Sequence, residues 1–369
     1  MKIGILTYHF GTNFGGQLQC YALTRTLEAM GYDIEIINYI PGSPNPTFWN
    51  DLKNNLRFIK NDFCVNTIIS GLLSIIYSRR MRKNFEKFKK KNLNIGQRCN
   101  LDNFNELYKL DAIFVGSDQV WAPAHHESGA YFFNFKKKFD GKKISYAPCC
   151  AINKVEGKHW NKISNLLNDF DVISVRNKET QKFVKELIGK DVPIVADPTF
   201  LHSFEEFRSS KTPKGNYILT YILGDEINGG HKQAINKIKR EYGNIPIYSI
   251  NLTASKPHYF SWSEKTYHTL DPIDWVDFIR NAKFLYTDSF HGVVFAIKLN
   301  IPFLAYYKEI MRASRFIDLK ERYNLKNIIN TFTEIENVSL KSLQPGDETK
   351  EAIDETKAFS IEFIKKALL

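Results

Sequence analysis

The feature that most constrains this chain is a rhythm. A short apolar, β-branched segment leads through a loop into a stretch with helical spacing, and the pattern repeats. Lys2–Tyr8 reads as a strand and Asn13-Phe-Gly-Gly16 as a loop. Gln17–Met30 then places Leu18, Tyr21, Ala22, Arg25 and Glu28 at helical spacing, and Gly31 closes that helix. Tyr32–Ile40 alternates and is β-branched, so it reads as a second strand. A strand–helix–strand unit makes its strands parallel, and parallel sheets need helices on both faces. The fold class expected is therefore α/β.

Further strands are expected at Asp111–Gly116, Lys143–Pro148, Val172–Arg176 and Pro193–Ala196, with a helix at Glu179–Ile188. Ile68, Leu72, Ile75 and Ile76 recur at i, i+4, i+7 and i+8, which predicts one long helix or a helix pair over 66–91. Residues 44–65, with Pro44 and Pro46, have only weak periodicity. Between Phe204 and Asn216 the composition turns polar, with Ser209, Ser210, Lys211, Pro213, Lys214 and Gly215. The rhythm then restarts. Strands are expected at Tyr217–Leu223, Pro246–Leu252, Phe284–Asp288 and Pro302–Tyr307, and helices at Asp274–Ala282 and Gly292–Leu299. The expectation is two Rossmann-like, doubly wound domains, 1–206 and 214–350, facing a central cleft. An amphipathic helix at 351–369 would pack back on the first domain. Ligands in such sheets sit at the carboxyl ends of the strands.

Composition narrows the function classes. A chain of 369 residues has room for two domains, and 43% apolar with 25% charged residues excludes a disordered or fibrous class. The longest apolar run, Thr67–Tyr77, is far short of the roughly 20 residues that span a bilayer. Ile3, Ile5 and Leu6 are followed at once by His9, Gly11 and Asn13, which does not read as a signal peptide. Cys20, Cys64, Cys99, Cys149 and Cys150 have no CxxC spacing. They suggest neither a disulfide framework nor a zinc site, and they point to a reducing cytoplasm.

The net charge of +11 favours a polyanionic partner, a membrane surface or a phosphorylated substrate. Arg79–Lys91 alone carries eight basic residues and one acidic residue, directly after the apolar stripe. It reads either as an interfacial helix on an anionic membrane or as a solvated helix face. No helix-turn-helix or RNP-like signature points to nucleic acid.

Candidate chemistry concentrates at strand ends. In Tyr286-Thr-Asp-Ser-Phe-His-Gly292 an apolar strand runs into Asp288 and a helix begins just after Ser289, a suitable N-cap. His291 and Gly292 therefore stand at a helix N-terminus, where free N–H groups favour a phosphate or carboxylate. His291 suits anion donation or acid–base work there, or it is a satisfied structural histidine beside the cap. Lys308, Arg312 and Arg315 follow the strand 303–307 and would share that rim; arginine is the natural bidentate partner of such anions. Arg176 ends a buried strand, facing the cleft or pairing with Glu179. Asn13, Gly15, Gly16 and Gln17 form a loop in which glycine allows close backbone approach. That loop matches neither GxGxxG nor GxxxxGK[ST], so it implies no nucleotide. Ser117, Asp118, Gln119 and Trp121 offer hydrogen-bonding groups and an aromatic platform of the kind that holds sugars, or they cap local turns.

These stretches together resemble the polysaccharide pyruvyl transferase family over nearly the whole chain. The matching residues are 1–8 with 13–23, Asp111-Ala-Ile-Phe-Val-Gly-Ser-Asp-Gln-Val-Trp121, Ile173-Ser-Val-Arg176, Asp197-Pro-Thr-Phe200, Thr287-Asp-Ser-Phe-His-Gly-Val-Val-Phe295 and Ser314-Arg-Phe316. The resemblance implies a GT-B-like architecture and a role in bacterial surface-glycan assembly, such as exopolysaccharide or capsule. Characterised members move a pyruvyl group from phosphoenolpyruvate onto two hydroxyls of a sugar, forming a cyclic ketal.

Carried over, the family's donor arginine falls on Arg176 and its donor histidine on His291. Lys308 or Arg312 would supply a further basic residue. Some members have Arg-Leu before the histidine; this chain has Ser289-Phe290, and Arg315 would replace the missing contact. In that scheme His291 is the general acid or phosphate donor, and Asp288 orients or deprotonates. The loops at 13–17 and 117–121 belong to the acceptor side, and the acceptor is a lipid-linked or nucleotide-linked sugar. No cofactor or metal is required. The place implied is the cytoplasm, with the basic helix offering a hold on the inner face of the membrane. The rival expectations are a GT-B glycosyltransferase using a nucleotide sugar and a non-enzymatic scaffold at the membrane surface.

Overall fold

The computed structural model describes residues 1–41, 65–104, 108–151, 159–224, 226–228, 230–252, 261–308 and 310–369, with the backbone alone at 65–72, 74 and 310–312. Apart from Val65, the stretch 44–65 lies outside the described residues.

Two six-stranded sheets carry the chain. The first contains β1 (Lys2–Leu6), β2 (Asp33–Tyr39), β3 (Ile95–Cys99), β4 (Ala112–Val115), β5 (Lys142–Ser145) and β6 (Val172–Ile173) in the order β3-β2-β1-β4-β5-β6. The second contains β7 (Ile218–Tyr221), β8 (Ile247–Ile250), β9 (Lys265–Tyr267), β10 (Phe284–Thr287), β11 (Phe303–Tyr306) and β12 (Ile328–Ile329) in the order β12-β11-β10-β7-β8-β9. Both sheets are parallel throughout. Counted from its own first strand, each has the order 3-2-1-4-5-6, so each reverses direction between its first and fourth strands. In the first sheet that switch point lies between β1 and β4, in the second between β7 and β10. It is where a doubly wound sheet opens a crevice for a ligand.

The helices that build the site are α1 (Phe14–Ala29), α2 (Val65–Asn92), α4 (Lys178–Ile188), α6 (Pro272–Asn281), α7 (Phe290–Lys298) and α8 (Ile310–Arg322); α3 (Trp160–Asn168), α5 (His231–Tyr242) and α9 (Asp347–Leu368) lie outside it. Local chemistry sets their starts. Asn13 caps α1 by accepting from the Gly16 N–H at 3.0 Å, and Asn177 caps α4 through Thr180 N–H. Asp271 and Asp274 make a reciprocal capping box on α6.

One continuous cluster of buried apolar side chains joins the halves. Its centre is Phe14 of α1, which stacks on Trp275 of α6 with ring centroids 5.5 Å apart and also meets Phe85 and Tyr221. The long basic helix contributes Met81, Phe85 and Phe88 at i, i+4 and i+7, while Arg79, Arg80, Lys83, Lys90 and Lys91 stay exposed. The side chains of Ile68 and Leu72 lie outside the described residues; Ile75 is half-buried and Ile76 is exposed. Helix α9 reaches the first half, where Ser360 Oγ accepts from the Ala196 N–H at 2.8 Å.

The differences from the sequence reading have simple causes. Pro193–Ala196 forms no strand; Ile194 makes a single bridge to Val175, and Pro193 has no N–H for a ladder. The strand expected to run to Arg176 ends at Ile173. β3, β9 and β12 were not expected. All three are edge strands; β3 and β9 are half-exposed, and β12 has only two residues, so none has an apolar run to reveal it.

Truncating Phe14 removes the ring at the centre of the shared core. Phe14→Ala is expected to lose about 3–5 kcal/mol of stability in urea denaturation. A loss below about 1 kcal/mol would mean that the contact between the halves does not depend on this stack.

Candidate active site

Strand ends and helix starts from both halves meet at one buried carboxylate. Asp197 follows the Val195–Ala196 segment and caps a short 3₁₀ turn, Pro198–Phe200. Its Oδ1 accepts from Thr199 N–H at 3.0 Å and Thr199 Oγ1–H at 2.7 Å. Its Oδ2 accepts from Nη1 of Arg176 at 2.7 Å. The same Oδ2 lies 3.5 Å from Nε2 of His291, an ion-pair contact when the imidazole is protonated. Arg176 comes from the first half and His291 from the second, so one oxygen holds a side chain from each.

All three groups are buried: Asp197 is 2% exposed, Arg176 3% and His291 8%. Burial opposes ionisation of Asp197, but His291, Arg176 and Thr199 outweigh it and hold the carboxyl well below the usual range. Burial likewise opposes the Arg176 charge, and Cys149, Asp197 and Asp118 overcome that opposition and raise its pKa. The guanidinium also donates from Nε to Cys149 Sγ at 3.0 Å and from Nη1 to Ser117 Oγ at 3.4 Å. Its Nη2 stands 3.5 Å from Asp118 Oδ1 and makes no hydrogen bond, and neither does Nε2 of His291. Two buried donors are thus left open at one place, a costly arrangement unless something accepts from them.

The closeness of the halves rests on glycine. A Cβ on Gly15, in the first turn of α1, would overlap the His291 imidazole. Gly116, at the end of β4, has φ +120° and abuts the Tyr146 carbonyl, where any side chain would collide.

Phe290 lies under two guanidinium groups. Arg176 is 4.7 Å from its ring centroid and Arg315 of α8 is 5.7 Å away. Beside them Arg322 of α8 donates to the Arg176 carbonyl at 2.8 Å and to Asp318 Oδ2 at 2.8 Å. Asp318 accepts from Lys178 N–H at 3.2 Å, and Ser314 Oγ donates to Glu179 at 3.0 Å. Helix α8 is therefore latched to the start of α4. The space left between Arg176, Phe290, Arg315 and Arg322 is only ≈ 10 Å³, about what one water occupies.

The other expected residues are placed as follows. Ser289 caps α7, its Oγ accepting from Gly292 N–H at 3.2 Å. Both oxygens of Asp288 accept backbone N–H groups, from Leu223 and Gly224 at 2.6 Å each; its carboxylate ties the ends of β7 and β10 together. Lys308 is exposed just beyond β11, and the Arg312 side chain lies outside the described residues. Asn13 and the Gly16 N–H are occupied with each other. Gln17 is buried and donates to the His9 carbonyl at 2.9 Å. The carbonyl of Gln119 accepts from Tyr8 Oη at 3.1 Å, and Tyr8 also bonds His125. Trp121 corrects the sequence reading. It is 0% exposed, donates to the Tyr131 carbonyl at 2.9 Å and stacks on Phe132, so it is a core residue and offers no platform to a sugar.

Asp197, Phe290, Cys149 and Arg322 were assigned no role from sequence. Asp197 lay within a family-like stretch, but no local spacing links position 197 to 176 or 291. Among the described residues no group of three or more His, Cys, Asp or Glu could hold a metal ion, and no helix is long and apolar enough to cross a membrane.

A family model described as polysaccharide pyruvyl transferase matches residues 13–307. Solved structures similar to the chain include a UDP-N-acetylglucosamine 2-epimerase from Listeria monocytogenes (TM-score 0.52, 13% identity, 100% of this chain and 95% of that one). Another is the UDP-GlcNAc 2-epimerase from Methanocaldococcus jannaschii (TM-score 0.50, 12% identity, 100% and 99%). A third is Arabidopsis thaliana UGT89C1 complexed with quercetin (TM-score 0.50, 10% identity, 100% and 99%). At these identities they show the fold alone, a GT-B-like pair of α/β halves. No curated protein matches the chain.

The native pKa of Asp197 is depressed, so its contribution to stability is complete above the ordinary carboxylate range and is lost as the pH falls through the native value. Asp197→Asn leaves Arg176 buried without its closest anion and is expected to cost about 3–5 kcal/mol at pH 7. The gap between variant and native protein should narrow as the pH drops below about 4. Urea denaturation at pH 7 and pH 3 checks this, and an unchanged gap would contradict it.

Proposed function

Because this chain belongs to the polysaccharide pyruvyl transferase family, we propose that it moves a pyruvyl group from phosphoenolpyruvate to two hydroxyls of a sugar, closing a ketal during bacterial surface polysaccharide assembly. The observation that carries this reading is a pair of buried nitrogens that make no hydrogen bond, Arg176 Nη2 and His291 Nε2, both beside Asp197. Phosphoenolpyruvate carries a carboxylate and a phosphate, so it needs several cationic donors at once. Arg176 and Arg315, held beside one another on Phe290, meet that need, with Lys308 and Arg312 close by in sequence. The space between Arg176, Phe290, Arg315 and Arg322 is far smaller than the donor, so binding requires the Arg315 and Arg322 side chains to move apart.

His291 supplies the proton. With its ring beside Asp197, the imidazolium gives its Nε2 proton to the methylene carbon C3 of the donor. C2 becomes oxocarbenium-like, and the first sugar hydroxyl forms a C–O bond there as its proton passes to a base on the acceptor side. The second hydroxyl then displaces the phosphate from C2, and its proton leaves with that phosphate. His291 takes up a proton from solvent before the next turnover. Asp288 fixes the strand ends from which His291 projects. The acceptor lies along the loop after β4, beside Asp118 and Gln119; Ser117 is fully buried there and accepts from Arg176. The acceptor is a lipid-linked or nucleotide-linked sugar, reached in the cytoplasm or at the inner face of the membrane, where the exposed basic residues of α2 meet anionic lipid.

Phosphoenolpyruvate is expected to raise the melting temperature in a thermal shift assay, and UDP-sugars are not. Stabilisation by a UDP-sugar alone would favour a glycosyltransferase. His291→Gln should lower pyruvyl transfer by about 10²- to 10⁴-fold, measured by mass spectrometry of glycans incubated with phosphoenolpyruvate. Unchanged transfer would exclude the histidine as the acid.

Changing Arg79, Arg80, Arg82 and Lys83 to Gln should weaken binding to anionic liposomes by about 1 kcal/mol per residue. It should slow transfer to a lipid-linked acceptor and spare a soluble one. Unchanged liposome binding would make this face of α2 a solvated surface only.

A further inference from the structure

The two carboxylates beside Arg176 are not equivalent. Asp197 is saturated by Thr199 and Arg176 and is deeply buried. Asp118 comes from the switch point of the first sheet, directly after β4, and its Oδ1 is 3.5 Å from Nη2, the guanidinium nitrogen that makes no hydrogen bond. Its backbone is fixed. The Asp118 carbonyl accepts from Cys149 N–H at 2.8 Å, the residue bridges to Pro148, and φ is +69°. Its side chain lies beside the donor arginine, and Gln119 follows it in the same loop. Tyr8 is its neighbour: burial first, and then the Asp118 charge, push the phenol upward.

An anionic donor changes this balance. Its oxygen is a better-placed acceptor for Nη2 than a carboxylate at 3.5 Å, and two anions cannot share one nitrogen without repulsion. Donor binding therefore frees the Asp118 carboxylate on the acceptor side. The reaction needs a base there: the first hydroxyl must lose its proton as its oxygen bonds to C2, and His291 is occupied as the acid. Asp288 cannot serve while the Leu223 and Gly224 amides hold both of its oxygens.

We infer that Asp118 is the general base that takes the proton of the first attacking sugar hydroxyl, and that the donor activates it by displacing it from Arg176. This rests on the pyruvyl transfer reading. The balance is complete: the hydroxyl proton goes to Asp118, the His291 proton goes to C3, the new bond is O–C2, and Asp118 returns its proton to solvent after the phosphate has left.

The test is Asp118→Asn in the full chain. Asn tolerates a left-handed backbone, so the substitution keeps the loop. Two readings are taken. Transfer is followed with phosphoenolpyruvate and a mixture of p-nitrophenyl hexosides and extracted lipid-linked glycans. Donor binding is followed by thermal shift with phosphoenolpyruvate alone. Transfer should fall by about 10²- to 10⁴-fold, and its decline on the acid side of the pH profile should disappear. Phosphoenolpyruvate should bind the variant at least as tightly as the native protein, because a competing anion is gone. Transfer within about tenfold of native, or lost transfer with weakened donor binding, overturns the assignment and leaves Asp118 a support for Arg176. A native protein that neither binds nor uses phosphoenolpyruvate overturns the pyruvyl transfer reading itself, and the assignment with it.

Discussion

The oxygen Oδ2 of Asp197 is the point on which the site depends. A buried arginine and a buried histidine, one from each half, share it. Burying Arg176 and Asp197 at such depth is tolerable because each compensates the other, and His291 adds a further contact to the same oxygen. Thr199 holds the other oxygen in place, so the carboxylate cannot turn away. Removing Asp197 takes the closest anion from Arg176, and removing Arg176 leaves Asp197 without its hydrogen-bonded cation.

That interaction is possible because the same 3-2-1-4-5-6 order is built twice. Each sheet presents its switch point to the other, and loops from β1, β4, β7 and β10 reach the gap. Helix α1 is the piece that lets them approach. Phe14 stacks on Trp275 at its start, and one residue later the missing Cβ of Gly15 leaves room for the His291 ring. An apolar contact and the close approach to the His291 ring thus come from adjacent residues. The α8–α4 latch consists of polar contacts such as Asp318 with Lys178 N–H, while Phe316 and Leu319 of α8 lie in the shared apolar core.

Much of the fold was legible because buried parallel strands are apolar runs and helices announce themselves by caps and periodicity. Ile218–Tyr221, Phe284–Thr287 and Phe303–Tyr306 each fell within an expected segment. The edges were not legible: Lys265–Tyr267 is half-exposed and Ile328–Ile329 is two residues long. In the site, expected strand-end position together with the family resemblance pointed to Arg176 and His291. Asp197 was missed because its partners lie 21 and 94 positions away, and nothing local distinguishes a carboxylate that caps its own turn from one that also neutralises an arginine. Trp121 was misread for a related reason. Its neighbour Gln119 is half-exposed, but its indole turns inward to the Tyr131 carbonyl, a partner that sequence spacing does not reveal.

The most direct measurement is a crystal structure of the protein with phosphoenolpyruvate. Oxygen atoms of the donor should lie about 3 Å from Arg176 Nη2 and on the His291 side of the ring of Phe290, with Nη1 still on Asp197. The Asp118 carboxylate should have moved off the guanidinium. A donor seated away from Arg176 and His291, or one bound with the Arg176–Asp118 contact unchanged, would contradict the account.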